Sequence, residues 1–270
     1  MPLLCPDDSN KIELNPDRKL DSIFGDDSAI KVFGRLYLAP CKSIPCRASI
    51  GTNLHYFCLD NFIMSSYVSF CDDFGPMNLG TLHEFCQILD NELSHHHDRP
   101  VAMQTISESR SITNAVFLLG SYMIIKLGKC PDEVGHALES VLHLLVSYRD
   151  VSPGRQNFSL YVQDCWEGLW KAKQLGWVDF GPDGFDHNEY CELDSPLNAD
   201  LHVIVPGKFI AMRGPMDFED GGPWKDSFQG EEIFSHRDFS PAHYAEILTQ
   251  VCAPAARPPA APAPDAAAAV

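Results

Sequence analysis

Basic residues are scarce in this chain. Twenty lysines and arginines face 37 aspartates and glutamates, for a formal net charge of −17. That balance disfavours nucleic acid and anionic membrane as partners and suits basic peptides or proteins. For most of these carboxylates, keeping the protein in solution is role enough. Long apolar runs are missing as well. The longest uncharged one, Ala115 to Ile125, is too short to span a bilayer and reads as the central helix of an α/β domain. The ten cysteines include no C-x2-C pair, and the apolar start of Met1 to Asn10 meets Asp7 and Asp8 at once, unlike a signal peptide. Reduced thiols inside the cell are the natural reading, most of them small buried hydrophobes.

What is present is a globular pattern. The 270 residues are 45% hydrophobic, enough for a substantial core in one large or two small domains. Strand candidates are Arg35 to Leu38, His55 to Leu59, Val101 to Gln104 and His202 to Val205, the last perhaps continuing through Phe209 to Met212. Asn78 is a candidate N-cap for a helix with the apolar stripe Leu79, Leu82, Phe85, Cys86 and Leu89. Pro131 opens another, with Val134, Ala137, Leu138, Val141, Leu142 and Leu145 on one face. A third starts near Ser159, carries Val162, Cys165, Trp166, Leu169 and Trp170, and stops at Gly176. Strands followed by helices indicate an α/β domain with a mainly parallel sheet. Gly181 to Asn198 breaks into turn residues and reads as a link. Asp217 to Asp238 reads as a second loose, acidic stretch.

The most informative segment is Val101 to Ile125. A short strand runs into a polar loop, Thr105 to Ser109, then Arg110-Ser111, then a very apolar helix from Asn114. Strand, tight loop and helix N-terminus form a common phosphate cradle. Cysteine-dependent phosphatases place Cys-x5-Arg-Ser/Thr there, with a thiolate nucleophile and an arginine on the equatorial oxygens. Here Arg110 and Ser111 are in place, but Gln104 stands at the nucleophile position. Glu108 lies inside the would-be cradle, where its charge repels a phosphate dianion. Taken alone, the spacing also fits any buried α/β unit.

The rest of the chain narrows this. From about Arg35 to Pro215 it resembles the N-terminal domain of the cell division cycle fourteen type of dual-specificity protein phosphatase. The resemblance rests on Leu54-His55-Tyr56-Phe57, on Asp73-Phe74-Gly75-Pro76-Met77-Asn78-Leu79, and on Asn114 through Tyr122. It continues with Tyr148-Arg149-Asp150 and Asp164-Cys165, and closes with its most distinctive run, Ile204 through Ala211. It implies two tandem phosphatase-like α/β domains, three-layered with mainly parallel central sheets. The first is catalytically degenerate and helps select substrates. The second holds the Cys-x5-Arg loop and an Asp general acid, and works through a cysteinyl-phosphate with no metal or other cofactor. One cysteine, Cys41, has an arginine six residues on, Arg47, but Pro40 precedes it in place of His and Ala48 follows in place of Ser or Thr, so the chain offers no full match for that loop.

On this reading residues 1–30 form an acidic N-terminal stretch, 31–180 the non-catalytic domain, 181–200 an acidic linker, 201–250 the start of a truncated catalytic domain, and 251–270 an Ala/Pro-rich tail. In that tail only Arg257 and Asp265 are charged, and it has no apolar periodicity with which to build a core. The abrupt loss of pattern after Gln250 favours a gene model cut short over a natural tail. The resemblance also implies a groove of acidic linker residues that favours a basic residue a few positions after phosphoserine-proline. Asp194 and Asp200 fall on acidic family positions. A third position is Cys191, with Glu192 adjacent, and Glu189 joins the same acidic run. Expected partners are therefore proteins or peptides with basic residues near Ser-Pro sites, in nucleus or cytoplasm. The chain as written is expected to be inactive, with a stand-alone pseudophosphatase scaffold or a non-functional fragment as rivals.

Two constellations read as structural. His95-His96-His97-Asp98 looks like a metal site, but consecutive histidines splay apart and no ligand pair is seen at i,i+4 spacing. It reads as an exposed helix end. Asp72-Asp73, before Phe74-Gly75-Pro76, reads as turn chemistry leading to a helix.

Overall fold

A computed structural model describes residues 29–42, 53–58, 67, 69–152, 154–229 and 233–251. The expected loose N-terminus, all but its last two residues, and the Ala/Pro-rich tail, all but Val251, lie outside the described residues. The chain divides into two compact units, Met1–Phe185 and Asp186–Val270.

The first unit is built on a four-stranded sheet in the order β1-β2-β4-β3: β1 Ile30–Phe33, β2 Leu36–Cys41, β3 His55–Cys58 and β4 Val101–Ile106. β4 lies between β2 and β3 and is parallel to both. Leu36 pairs with Val101 and Cys41 with Ile106 on one side, and His55 pairs with Val101 and Cys58 with Gln104 on the other. Only the edge strand β1 is antiparallel. The fold is α/β with a mostly parallel sheet.

Helices follow the strands: α1 Leu79–His95, α2 Ser109–Ile125, α3 Pro131–Ala137, α4 Glu139–Leu142 and α5 Val162–Gln174. A short ladder, β5 Tyr148–Arg149 with β6 Ser159–Leu160, precedes α5. Asn78 caps α1 by accepting the Thr81 amide at 2.9 Å, and Leu82, Phe85, Cys86 and Leu89 are buried on its inner face. α2 is the centre of the core. Every residue from Ile112 to Ile124 is buried, which no surface helix shows. Each fully buried Leu, Ile, Val or Phe side chain there contributes about 1.5–3 kcal/mol. The helices join Val32, Leu36, Leu38, Phe57, Val101 and Met103 of the sheet in one core. Ala39, Tyr56 and Ala102, alternate residues facing the other way, form a smaller cluster.

α2 and α5 approach closely at Gly120. A Cβ there would lie 2.3 Å from the Trp166 indole, which is fully buried and donates its N–H to the Phe117 carbonyl at 3.2 Å. The stripe expected from Val134 to Leu145 is broken between α3 and α4. Val134, Leu138 and Val141 still point inward.

The second unit contains α6 His187–Asp194, a hairpin of β7 Leu201–Val205 and β8 Phe209–Met212, a second hairpin of β9 Trp224–Gln229 and β10 Ile233–Phe239, and α7 Pro241–Val251. Three expectations are corrected here. Phe209 to Met212 does not extend the preceding strand; Gly207, at φ 71, turns the chain back into an antiparallel pair. Gly181 to Asn198 is not all turn: Asp186 caps α6 by accepting the Glu189 amide at 3.0 Å. In the stretch Asp217 to Asp238, β9 and β10 pair as strands rather than running loose. Asp226 and Arg237 face each other across β9 and β10 in a two-point ion pair, 2.6 and 3.0 Å, and the guanidinium covers the Trp224 ring at 4.9 Å. The acidic residue there is a cross-strand partner rather than a solvated charge.

Candidate functional site: the β4–α2 loop

The site begins in the sheet. Gln104 is 3% exposed, paired in register with Ala39 and Cys58, so its carboxamide is enclosed in the domain. The loop after it is shorter than the sequence suggests. Thr105 and Ile106 remain in β4, paired with Pro40 and Cys41, and α2 already starts at Ser109. Only Ser107 and Glu108 lie between strand and helix.

A phosphate cradle needs backbone N–H groups turned inward with no partner of their own. Here the Ser107 amide donates to the Cys41 carbonyl at 2.8 Å and the Glu108 amide to the Ile106 carbonyl at 2.8 Å. The Cys41 thiol donates to the Thr105 carbonyl at 3.4 Å, and the Thr105 hydroxyl to the Ser111 carbonyl at 3.3 Å. These bonds knit the loop to β2 and to the first turn of α2. Glu108 is the N-cap residue of α2 and is exposed, with no side-chain cap bond of its own. It stands at the N-terminus of α2, where the helix dipole favours an anion.

Arg110 is turned to the rim. Its guanidinium donates to Asp72 at 2.8 Å and covers the Phe74 ring at 5.2 Å, and Arg149 approaches the same carboxylate at 3.7 Å. Arg110 holds the Asp72 carboxyl below the usual carboxylate range, by hydrogen bond first and charge second. Ser111, half-buried on the first turn, receives the Thr105 hydroxyl through its carbonyl.

The segment Phe70 to Phe74 that brings Asp72 here is itself well held. Asp73 is buried and accepts from the Tyr67 hydroxyl at 2.5 Å, the Phe70 amide at 3.0 Å and the Cys71 amide at 2.8 Å. Burial alone would raise its pKa, but these donors outweigh it and hold the carboxyl at about 2. Asn114 of α2 donates to the Phe74 carbonyl at 2.8 Å and accepts from the Tyr148 hydroxyl at 3.1 Å. Asp73 is thus the turn residue the sequence suggested. Asp72 had no sign in the sequence of its role as partner to Arg110, 38 residues away.

The four acidic residues read as a groove lie in the second unit and divide into two pairs. Glu189 and Glu192 are exposed on α6, three residues apart on one face. Asp194 and Asp200 are partly buried and engaged, Asp194 with His202 at 3.1 Å and Asp200 with Arg213 at 3.8 Å. Asp200 also adopts φ 49, a left-handed conformation, and its carbonyl receives the Arg213 amide at 3.1 Å.

One group capable of holding a metal appears among the described residues: His55, Glu92 and His96 bring their ligating atoms within 4.8 Å of one another. Glu92 and His96 stand at i,i+4 on α1, a spacing the sequence reading of the histidine run did not identify. Among the described residues no helix is long and apolar enough to cross a membrane, and no disulfide is present.

Comparison with known proteins gives the same assignment as the motifs. Residues 29–172 match the profile of the dual specificity protein phosphatase, N-terminal half. The dual specificity protein phosphatase CDC14C of Symphalangus syndactylus is 35% identical over 192 residues, 70% of this chain and 38% of that protein. Human CDC14A is 35% identical over 184 residues, 67% of this chain and 30% of that protein. The tyrosine-protein phosphatase CDC14 of Saccharomyces cerevisiae is 28% identical over 201 residues, 73% of this chain and 34% of that protein. The chain thus spans less than half the length of these curated relatives. Sheet, motifs and matched span agree: the chain belongs to the family defined by the N-terminal half of dual-specificity protein phosphatases.

Proposed function

We propose that this chain is the substrate-selecting, non-catalytic part of a CDC14-type dual-specificity phosphatase acting in cell-cycle control, placed in the nucleus or cytoplasm, and that it has no phosphatase activity of its own. The single observation that carries this reading is the state of the β4–α2 loop. A carboxamide cannot attack phosphorus as a thiolate does, and Gln104 is the residue at that position. The Ser107 and Glu108 amides are bonded within the protein, and Arg110 is paired with Asp72. Nucleophile, amide cradle and arginine clamp are each missing from their catalytic roles.

The remaining role is recognition. The chain carries −17 formal charges, and α6 presents Glu189 and Glu192 to solvent. Peptides with a basic residue after a Ser-Pro site suit that charge. Asp194 and Asp200, engaged with His202 and Arg213, support the second unit rather than offer open carboxylates. Exposed charge pairs are weak and screened by salt, so binding falls in the high micromolar range or beyond and fades as ionic strength rises.

The test is a titration of the chain with a Ser-Pro-x-Lys peptide, its phosphoserine form and a Lys→Ala control, at low and moderate salt. Binding that needs the lysine, ignores the phosphate and drops in the Glu189→Gln, Glu192→Gln double variant supports the proposal. Tighter binding of the phosphopeptide, unaffected by those substitutions, rejects it.

A further inference from the structure

His55, Glu92 and His96 come from two elements distant in sequence. His55 opens β3, and Glu92 and His96 lie on the last turn and the C-cap of α1. The His55 Nε2 to Glu92 Oε2 distance is 2.8 Å, the His96 Nε2 to Glu92 Oε2 distance is 3.9 Å, and the two imidazoles are stacked with centroids 3.5 Å apart. Their side chains are 19%, 29% and 29% exposed: shielded on most sides yet open to an entering ion.

The backbone around them is fixed. The His55 amide donates to the Pro100 carbonyl at 2.8 Å, and the His96 amide to the Glu92 carbonyl at 3.2 Å. Arg35 donates to the carbonyls of Leu93, His96 and Arg99, where its charge offsets the negative end of α1. The neighbouring histidines do not join the group in the same way. His95 turns its Nδ1 to the Asn91 carbonyl at 2.8 Å.

We infer that His55, Glu92 and His96 form a binding site for one divalent transition ion of the zinc class, with solvent completing the coordination. Two imidazoles and one carboxylate are a donor set that such ions accept, whereas magnesium and calcium require oxygen ligands. Zinc–ligand bonds of about 2.0–2.2 Å place neighbouring donors of a tetrahedron about 3.3 Å apart. The observed separations of 2.8 and 3.9 Å lie on either side of that value. A metal lies in the plane of each imidazole it binds, so loading turns a ring out of the stack and replaces the His55–Glu92 hydrogen bond with two metal bonds. The ion would tie the start of β3 to the end of α1, at the Val101 end of β4 rather than the Ile106 end that leads into the β4–α2 loop.

The experiment uses the full chain, kept reduced with a phosphine, in competition with a chromophoric chelator for Zn2+ and with Co2+ as a spectroscopic probe. One equivalent should bind, with nitrogen and oxygen ligand-field bands, no thiolate charge transfer, and a melting temperature raised by several degrees. His55→Ala, His96→Ala and Glu92→Gln should each weaken binding at least about tenfold, whereas His95→Ala and His97→Ala should bind as the parent does. Glu92→Gln is nearly isosteric, so its result stands even if an alanine variant fails to fold. His55→Ala is the decisive variant, because it lies 37 residues from Glu92, outside the histidine run. Unchanged affinity in His55→Ala or Glu92→Gln, loss in His95→Ala or His97→Ala, a thiolate band, or no binding at micromolar ion would each overturn the assignment.

Discussion

Arg110 and Asp72 are joined 2.8 Å apart at the rim of the β4–α2 loop, with the guanidinium lying over Phe74. The arginine that stands, by spacing alone, where a Cys-x5-Arg loop has its phosphate clamp is thereby held by a carboxylate of the protein itself. The pair is exposed on both sides, 50% and 60%, so it is a local restraint and contributes little to global stability. Asp72→Asn should lower the melting temperature slightly at low salt and not measurably at high salt, and should not create affinity for inorganic phosphate. Calorimetry with and without phosphate checks both parts, and a phosphate-induced rise in the variant would show that Asp72 alone blocks the site.

Gly120 should tolerate no side chain. Its Cβ would meet the Trp166 indole at 2.3 Å, and both residues are buried. Gly120→Ala is expected to cost about 1–3 kcal/mol. Gly168→Ala on α5 is the matched control, since its Cβ meets nothing within 4 Å and alanine favours helix by about 0.5–1 kcal/mol. Denaturant melts of the two variants should shift in opposite directions.

Acid stability should depend on Asp73. Its folded pKa of about 2 lies below its ordinary value of 3.8. A depressed carboxyl stabilises the fold above its unfolded pKa and loses that contribution as pH falls through the folded one. The loss should run from about pH 4 to about pH 2 and amount to about 2 kcal/mol. Asp73→Asn should be less stable than the parent at neutral pH and show a flatter decline across that window. Urea melts at pH 7, 4 and 2.5 measure it; parallel declines in both proteins would contradict the role assigned to this carboxylate.

Much of the first unit could be read in the sequence because its signals are local. Asn78 caps α1, and Leu82, Phe85, Cys86 and Leu89 repeat at helical spacing and are buried. The parallel strands β3 and β4 are short apolar runs of the kind that central strands need. The identities at Gln104, Glu108, Arg110 and Ser111 were visible by spacing alone. What closes the loop was not, because the Ser107–Cys41 and Arg110–Asp72 bonds depend on strand register and on a turn 38 residues away. The β9–β10 hairpin was missed for a related reason: Asp226 reads as a solvated charge until Arg237 stands opposite it. His55 likewise becomes relevant to Glu92 and His96 only once β3 lies beside the end of α1.

The central claim is that the β4–α2 loop is not a phosphate cradle, whatever residue occupies its first position. Hydrolysis of a small aryl phosphate tests it, using the purified chain and its Gln104→Cys, Gln104→Cys/Asp72→Ala and Arg110→Ala variants. The nucleophile would then be present, but Thr105 and Ile106 remain in β4 and the Ser107 and Glu108 amides remain bonded within the protein. All four proteins should match the buffer blank, with no phosphocysteine trapped in either cysteine variant. Turnover by the parent chain that survives repurification and disappears in Arg110→Ala, or a phosphoenzyme in Gln104→Cys, would contradict the account.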